Sequence, residues 1–219
     1  MKIISLSNDE AGYACAVGTS IKRYYENKSK TNFFDFLVVS MDSINKILNM
    51  SNLDLLKDNI NIDESNKKTS IITWKNFDKL VSYHDLKNNF TKSDYIDFNN
   101  KYKRRWIRLI HFIYEEDIIF FIRYGTISNS ELDLFYENIN HLNNNLVFYF
   151  INVDYDENNC DKQVKFKNYK NYIYINFNLI NNENNQNNEE DDYYRILNYN
   201  WNFVFKIIEK NYHFILKNK

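Results

Sequence analysis

Two near-continuous apolar runs, Ile118-Ile-Phe-Phe-Ile-Arg-Tyr124 and Leu146-Val-Phe-Tyr-Phe-Ile-Asn-Val153, bracket a segment in which Leu132, Phe135, Ile139 and Leu142 recur at helical steps. A strand that alternates polar and apolar residues can leave one face to water, whereas a run without alternation must be covered on both faces. Strand, crossover helix and strand in this order make a β-α-β unit, which commits its two strands to parallel pairing. Ser128 or Ser130 is the expected cap of the crossover helix. This arrangement points away from all-α and all-β architectures and towards an α/β layout.

The remaining segments fit that frame. Lys2–Ser7 is a short strand candidate, and Asn8 or Asp9 can cap a helix to about Tyr25 with Val17, Ile21 and Tyr24 inward. Phe33–Val39 is an apolar run, and Ser40 caps a second helix through about Met50. Residues 58–80 are expected as loops and short strands, among them Ser70–Trp74. A helix from about Ser93 to Tyr114 carries Phe98, Tyr102, Trp106, Leu109 and Ile113 on one face. Tyr172–Phe177 is a further strand, 181–192 an acidic Asn-rich loop, and about Tyr193–Leu216 a closing helix with Trp201, Val204 and Ile208 inward. The expectation is one α/β domain over residues 1–219, with a mainly parallel, Rossmann-like sheet flanked by helices.

Composition narrows the function classes. A net charge of −1 over 219 residues offers no excess of Lys and Arg for phosphate backbones, so no nucleic-acid partner is expected. With 17% aromatic residues the chain has too many rings to bury for disorder to be an option. No apolar run reaches the roughly 20 residues of a membrane span, and the start lacks the form of a secretion signal. Cys15 and Cys160 are too few for a disulfide framework, so a cytoplasmic, reducing setting is expected. No His or Cys spacing suggests a metal, and no cofactor is implied.

The chain has no proline and three glycines, and its richness in Asn, Lys, Ile, Tyr and Phe is that of AT-rich codons. Against that background every alanine (Ala11, Ala14, Ala16) and two glycines (Gly12, Gly18) fall within Ala11-Gly-Tyr-Ala-Cys-Ala-Val-Gly18, around Cys15. Small residues let backbones approach each other or a ligand closely. Packing of a helix on a sheet is one reading and a site is the other. In open α/β sheets ligands bind at the carboxyl ends of strands, and Cys15 follows the first such end. A thiol in the first turns of a helix is pushed towards thiolate by unpaired N–H groups and the helix dipole.

His84, in Val81-Ser-Tyr-His-Asp-Leu86, is a candidate base for such a thiol or a partly exposed loop histidine. Asp85, Asp35 and Asp97 are candidates for the group that fixes its tautomer. On the helix from Ser93, Lys101, Arg104, Arg105 and Arg108 form a stripe opposite the apolar face, either solvated or an anion site. Arg123, inside an apolar strand and followed by Gly125, must be paired or stand at the strand's open end.

Taken in order, Ser5-Leu-Ser, Gly12-Tyr-Ala-Cys15, Lys22-Arg23, Phe33-Phe-Asp-Phe-Leu37 with Ser40 and Ile44, His84-Asp85, Lys101-Tyr-Lys-Arg-Arg-Trp-Ile-Arg108 and Phe120-Phe-Ile-Arg123 resemble an uncharacterised family. The family is described as papain-like cysteine peptidases of large DNA viruses and bacteria, where some members accompany surface-polysaccharide genes. The resemblance spans roughly the first 150 residues. It implies Cys15 as nucleophile and His84 as base, a peptide-type substrate, a host-cytoplasmic setting if viral, and a papain-like α+β fold as the alternative architecture.

Three functions therefore stand as expectations. The first is a thiol hydrolase, whether peptidase, amidase or acyl transferase, using Cys15 and His84 with Asp35 or Asp85. The second is a glycan-related transferase or nucleotide-sugar binder with Gly12, Arg104, Arg105, Arg108 and Arg123 around an anion. The third is an interaction protein without catalysis.

Overall fold

The computed structural model describes residues 2–9, 16–25, 30–50, 60–65, 69–125, 127–154, 163–167, 172–176 and 201–213. In chain order the elements are β1 (Lys2–Ser5), α1 (Ala16–Tyr24), β2 (Leu37–Val39), α2 (Met41–Leu48), β3 (Ile60–Asp63), β4 (Thr69–Trp74) and β5 (Leu80–Lys87). Then follow α3 (Lys92–Glu115), β6 (Ile118–Tyr124), α4 (Asn129–Leu142), β7 (Val147–Asp154), β8 (Gln163–Lys167) and β9 (Tyr172–Asn176). A last helix, α5, covers 201–213.

The strands form two sheets. One runs β1-β6-β7-β9-β8, parallel through its first four strands, with β8 antiparallel at the edge. The other, β2-β5-β4-β3, is antiparallel throughout. The β-α-β unit is present: β6 and β7 pair in parallel from Ile118↔Val147 to Tyr124↔Val153 around α4. The chain is thus mixed α/β, with a mainly parallel sheet flanked by helices and a second, antiparallel sheet beside it. The parallel strands fit the expected α/β layout, while the separate antiparallel sheet departs from a single Rossmann-like sheet.

Both faces of the parallel sheet are covered, which explains the missing alternation in β6. Phe120 and Ile122 face α1 and α5 together with Ile3, Ile151, Val17, Ile21, Trp201, Val204 and Phe205. Ile119 and Phe121 face the other way, against Phe148, Phe150 and Leu132, Phe135 and Ile139 of α4. That second core continues without a break to α2, α3 and the antiparallel sheet. Each fully buried Ile or Phe contributes roughly 1.5–3 kcal/mol, so this shared core does much to hold the two sheets together.

Local chemistry sets the ends of the helices. Ser40 caps α2 by accepting the Ser43 N–H, and Ser128 caps α4 in a reciprocal box with Glu131. Thr91 caps α3 in a box with Asp94, so that helix begins at Lys92, just ahead of the expected start. The run Phe33–Val39 divides: Phe33 and Phe34 are core side chains, Phe36 takes φ 68°, and only Leu37–Val39 pair as a strand. His84 lies on strand β5 and not in a loop. The 181–192 segment, the first part of the closing helix, Gly12, Cys15 and Cys160 lie outside the described residues. Among the described residues no helix is long and apolar enough to cross a membrane.

Candidate active site

The helices that follow β1 and β6 leave on opposite faces of the sheet, α1 into one core and α4 into the other. β1 and β6 are parallel neighbours. Adjacent parallel strands whose helices diverge open a crevice at their carboxyl ends, the usual ligand position in such sheets. Ser7–Asp9 and Arg123–Gly125 stand at those carboxyl ends, where Ser7, Asn8 and Arg123 are buried against β2. Ser7 adopts φ 56° and Gly125 φ 108°, and a Cβ at Gly125 would stand 3.4 Å from Asn8 Oδ1 and 3.6 Å from Asp9 Oδ1. The missing side chain lets this turn close on the β1 loop.

Arg123 is 1% exposed and sits at the open end of β6. One guanidinium nitrogen donates to Leu6 O at 3.2 Å and to Val39 O at 3.1 Å, and another lies 3.6 Å from Asp9 Oδ1. Its charge is therefore turned onto the ends of β1 and β2. Those ends are joined further by Val39 N–H donating to Asn8 O and by Ser7 Oγ donating to Leu37 O. Arg123 acts as a tie between the two sheets, which accounts for a charge inside an apolar strand.

Asp35 lies where α1, β1 and the turn into β2 meet. It is 3% exposed, and Oδ2 accepts the Asn32 N–H at 2.7 Å. Its Oδ1 has no hydrogen-bond partner. A Cβ on Gly18, in the first turn of α1, would fall 2.9 Å from that oxygen, so only glycine admits the carboxyl here. Burial pushes the Asp35 carboxyl up to about 6, against the opposing pull of the Asn32 bond, Lys22 and Arg105. A carboxyl that titrates near neutrality and lacks a partner on one oxygen is a chemically usable group.

His84 is exposed on β5, with the Tyr83 ring 6.4 Å away. It falls in a stretch where the β4–β5 register shifts. Asp85 is otherwise engaged: it accepts from Ser82 Oγ at 2.5 Å, Lys101 Nζ and the Tyr102 hydroxyl. Burial alone would raise the Asp85 pKa, but these three bonds outweigh it and hold the carboxyl below the usual range. Both of its oxygens are taken, which leaves it poorly placed to orient His84. Asp97 is exposed on α3.

The basic residues of α3 divide in the same way. Lys101 binds Asp85, and Arg108 donates to Thr31 O at 2.6 Å. Arg104 is exposed. Arg105 lies over the Tyr102 ring with one terminal nitrogen buried and without a partner. Of the stripe, then, Arg105 alone combines a place beside Asp35 with a free buried donor.

The structure thus gathers Ser5, Gly18, Asn32 and Asp35 where β1, the first turn of α1 and the turn into β2 meet, with Lys22 in the last turn of α1, and sets Asn8, Asp9, Arg123 and Gly125 at the ends of β1 and β6. Gly12 and Cys15 precede α1 directly in the chain and lie outside the described residues. Ser5, Gly18, Lys22 and Asn32 were not singled out by chemistry in the sequence; Gly18 carried a signal as the last member of the small-residue cluster, and Ser5 and Lys22 only as parts of the segments that carry the resemblance. Among the described residues no three His, Cys, Asp or Glu side chains gather as metal ligands. Comparison with protein-family models, curated proteins and solved structures gives no match.

Proposed function

We propose that this protein is a thiol hydrolase or acyl transferase, with Cys15 as nucleophile, His84 as base and Asp35 as the carboxyl that orients the imidazole. The observation that carries the reading is the position of Asp35, which touches the element following Cys15 and stands two residues before β2, the neighbour of the strand bearing His84. Its free oxygen is pressed on Gly18, three residues beyond Cys15. β2 pairs antiparallel with β5 from Leu37↔Ser82 onward, and Phe36, at φ 68°, turns the chain out of that register before Asp35.

The chemistry follows from those places. The Cys15 sulfur attacks an acyl carbon while His84 takes the thiol proton. The first N–H groups of α1, unpaired within the helix, face the developing oxyanion. As the C–N or C–O bond breaks, His84 returns the proton to the leaving amine or alcohol, and the acyl group stays on sulfur as a thioester. Water or a second nucleophile, deprotonated by His84, then takes the acyl group and restores the thiol. The Arg123–Asp9 tie holds the β1 loop that leads to Cys15.

The test is covalent capture. Treated with an activated ester such as p-nitrophenyl acetate, the wild type and Cys160→Ser should release a burst of nitrophenol and carry an acetyl group on Cys15 by mass spectrometry. His84→Ala should lose the burst. Acetylation confined to lysines, or a Cys15 adduct formed equally fast in His84→Ala, would refute the proposal.

A further inference from the structure

We infer that Lys22 and Arg105 form an anion subsite beside Asp35, and that the acyl substrate carries a negatively charged group close to the carbonyl that reacts. The inference rests on the thiol reading for what the subsite serves, but the subsite itself stands on described residues of α1, α3 and the 31–36 turn.

Four observations converge. Lys22 is one helical turn beyond Gly18, so both residues sit on the stripe of α1 that faces Asp35. Its ammonium lies 4.4 Å from the centre of the Phe36 ring, and burial lowers its pKa, partly countered by Asp35 and reinforced by Arg105. Arg105 comes from α3 on the opposite side, half-buried, with a terminal nitrogen that has no acceptor. Phe36, which carries the ring under Lys22, has φ 68°, a backbone conformation that a bulky side chain adopts only when its surroundings impose it.

Charge arithmetic then points one way. The charges of Lys22 and Arg105 both act on the Asp35 carboxyl, but neither hydrogen-bonds to it: one oxygen accepts from Asn32 and the other is free. A structural ion pair would join Arg105 to Asp35 directly. What is found is an unfilled Arg105 donor over the Tyr102 ring, which packs on Phe33 of the turn that carries Asp35, and a partnerless oxygen on that carboxyl. An incoming carboxylate or phosphate would accept from Arg105 and Lys22. Guanidinium suits such an oxyanion through its planar fork, and ammonium adds a second charge without a geometric demand. Both ligand sources share this chemistry, and size separates them.

Paired alkylating probes test this on the intact protein. Iodoacetate and iodoacetamide attack a thiolate by the same displacement, forming a C–S bond and expelling iodide, and differ in the charge they carry. Relative to a free thiol, Cys15 should favour iodoacetate by about tenfold, the worth of one charge-assisted hydrogen bond. That preference should saturate with iodoacetate, vanish in Lys22→Met and Arg105→Met, and survive Arg104→Met. Melting titrations give an answer without the thiol: succinate or inorganic phosphate should raise the wild-type melting temperature and not that of Arg105→Met. A response to succinate alone assigns a carboxylate, and one to phosphate alone a phosphoryl group. If Cys15 reacts rapidly with iodoacetamide but shows the free-thiol ratio, and neither anion stabilises the protein, the subsite is refuted while the thiol reading survives. If Cys15 is inert to both probes yet an anion stabilises only the wild type, the subsite stands and the thiol reading falls.

Discussion

Asp35→Asn removes a charge that the fold bears at a cost, so it should stabilise the protein at neutral pH while slowing its chemistry. The carboxyl titrates near 6 in the fold against an ordinary value of 3.8, because burial opposes its ionisation. At about 1.4 kcal/mol per tenfold, that difference amounts to about 3 kcal/mol of stability. The direction follows from proton binding. Below pH 4 both folded and unfolded chains hold the proton, and Asp35 costs nothing. Between 4 and 6 the unfolded chain releases the proton while the folded chain keeps it, so stability falls as pH rises. Above 6 the full penalty applies. Asn has no such dependence, and its amide fits the site. The oxygen keeps the Asn32 N–H, and the NH2 takes the place of an oxygen that has no partner. Urea unfolding of both proteins from pH 4 to 8 isolates the effect, since every other titrating group cancels in the difference. The advantage of Asp35→Asn should grow by about 2.5 kcal/mol across that range, since the unfolded carboxyl is already partly ionised at pH 4. A difference that is flat with pH, or that shrinks as pH rises, would refute the claim of a buried, partnerless carboxyl.

Further substitutions test the neighbouring contacts. Gly18→Ala gains helix propensity of about 1 kcal/mol, yet its Cβ would stand 2.9 Å from Asp35 Oδ1. A net loss of about 1–2 kcal/mol is expected by urea unfolding, and it should disappear in an Asp35→Ala background. Arg123→Met strips the donor from Leu6 O and Val39 O and should cost about 3 kcal/mol, seen as a lower urea midpoint. Asp85→Ala should destabilise by about 2 kcal/mol at pH 7 by leaving Lys101 and Tyr102 unpaired. Because the Asp85 carboxyl titrates below its unfolded value, its contribution is present above about pH 4 and is lost as pH falls through the lower folded value, so the two proteins should converge in acid.

The parallel sheet was legible wherever both of its faces were buried. β6 and β7 show it as unbroken apolar runs, and α4 shows it through its spacing and its Ser128 cap. The antiparallel sheet was harder to see. In β4, residues that alternate in burial are Thr, Ser, Ile and Trp, so buried Ser70 and half-exposed Ile71 hide the period of two. β5 carries a register irregularity that breaks alternation around His84, which is why a strand residue looked like a loop residue. The stripe on α3 was legible as charge, but Lys101 and Arg108 are spent on Asp85 and Thr31, partners set by tertiary contact and not by spacing. Asp35 was one of three acidic candidates. What distinguishes it, a free oxygen against Gly18, exists only once α1 folds back over the turn into β2.

The pH dependence of Cys15 alkylation by iodoacetamide, measured in Cys160→Ser with and without His84→Ala, tests the central claim most directly. The account predicts a reactive form that appears at least about one pH unit below the ordinary thiol value near 8.5, and a return to that value when His84 is removed. A midpoint at the ordinary thiol value, unmoved by His84→Ala, would contradict it.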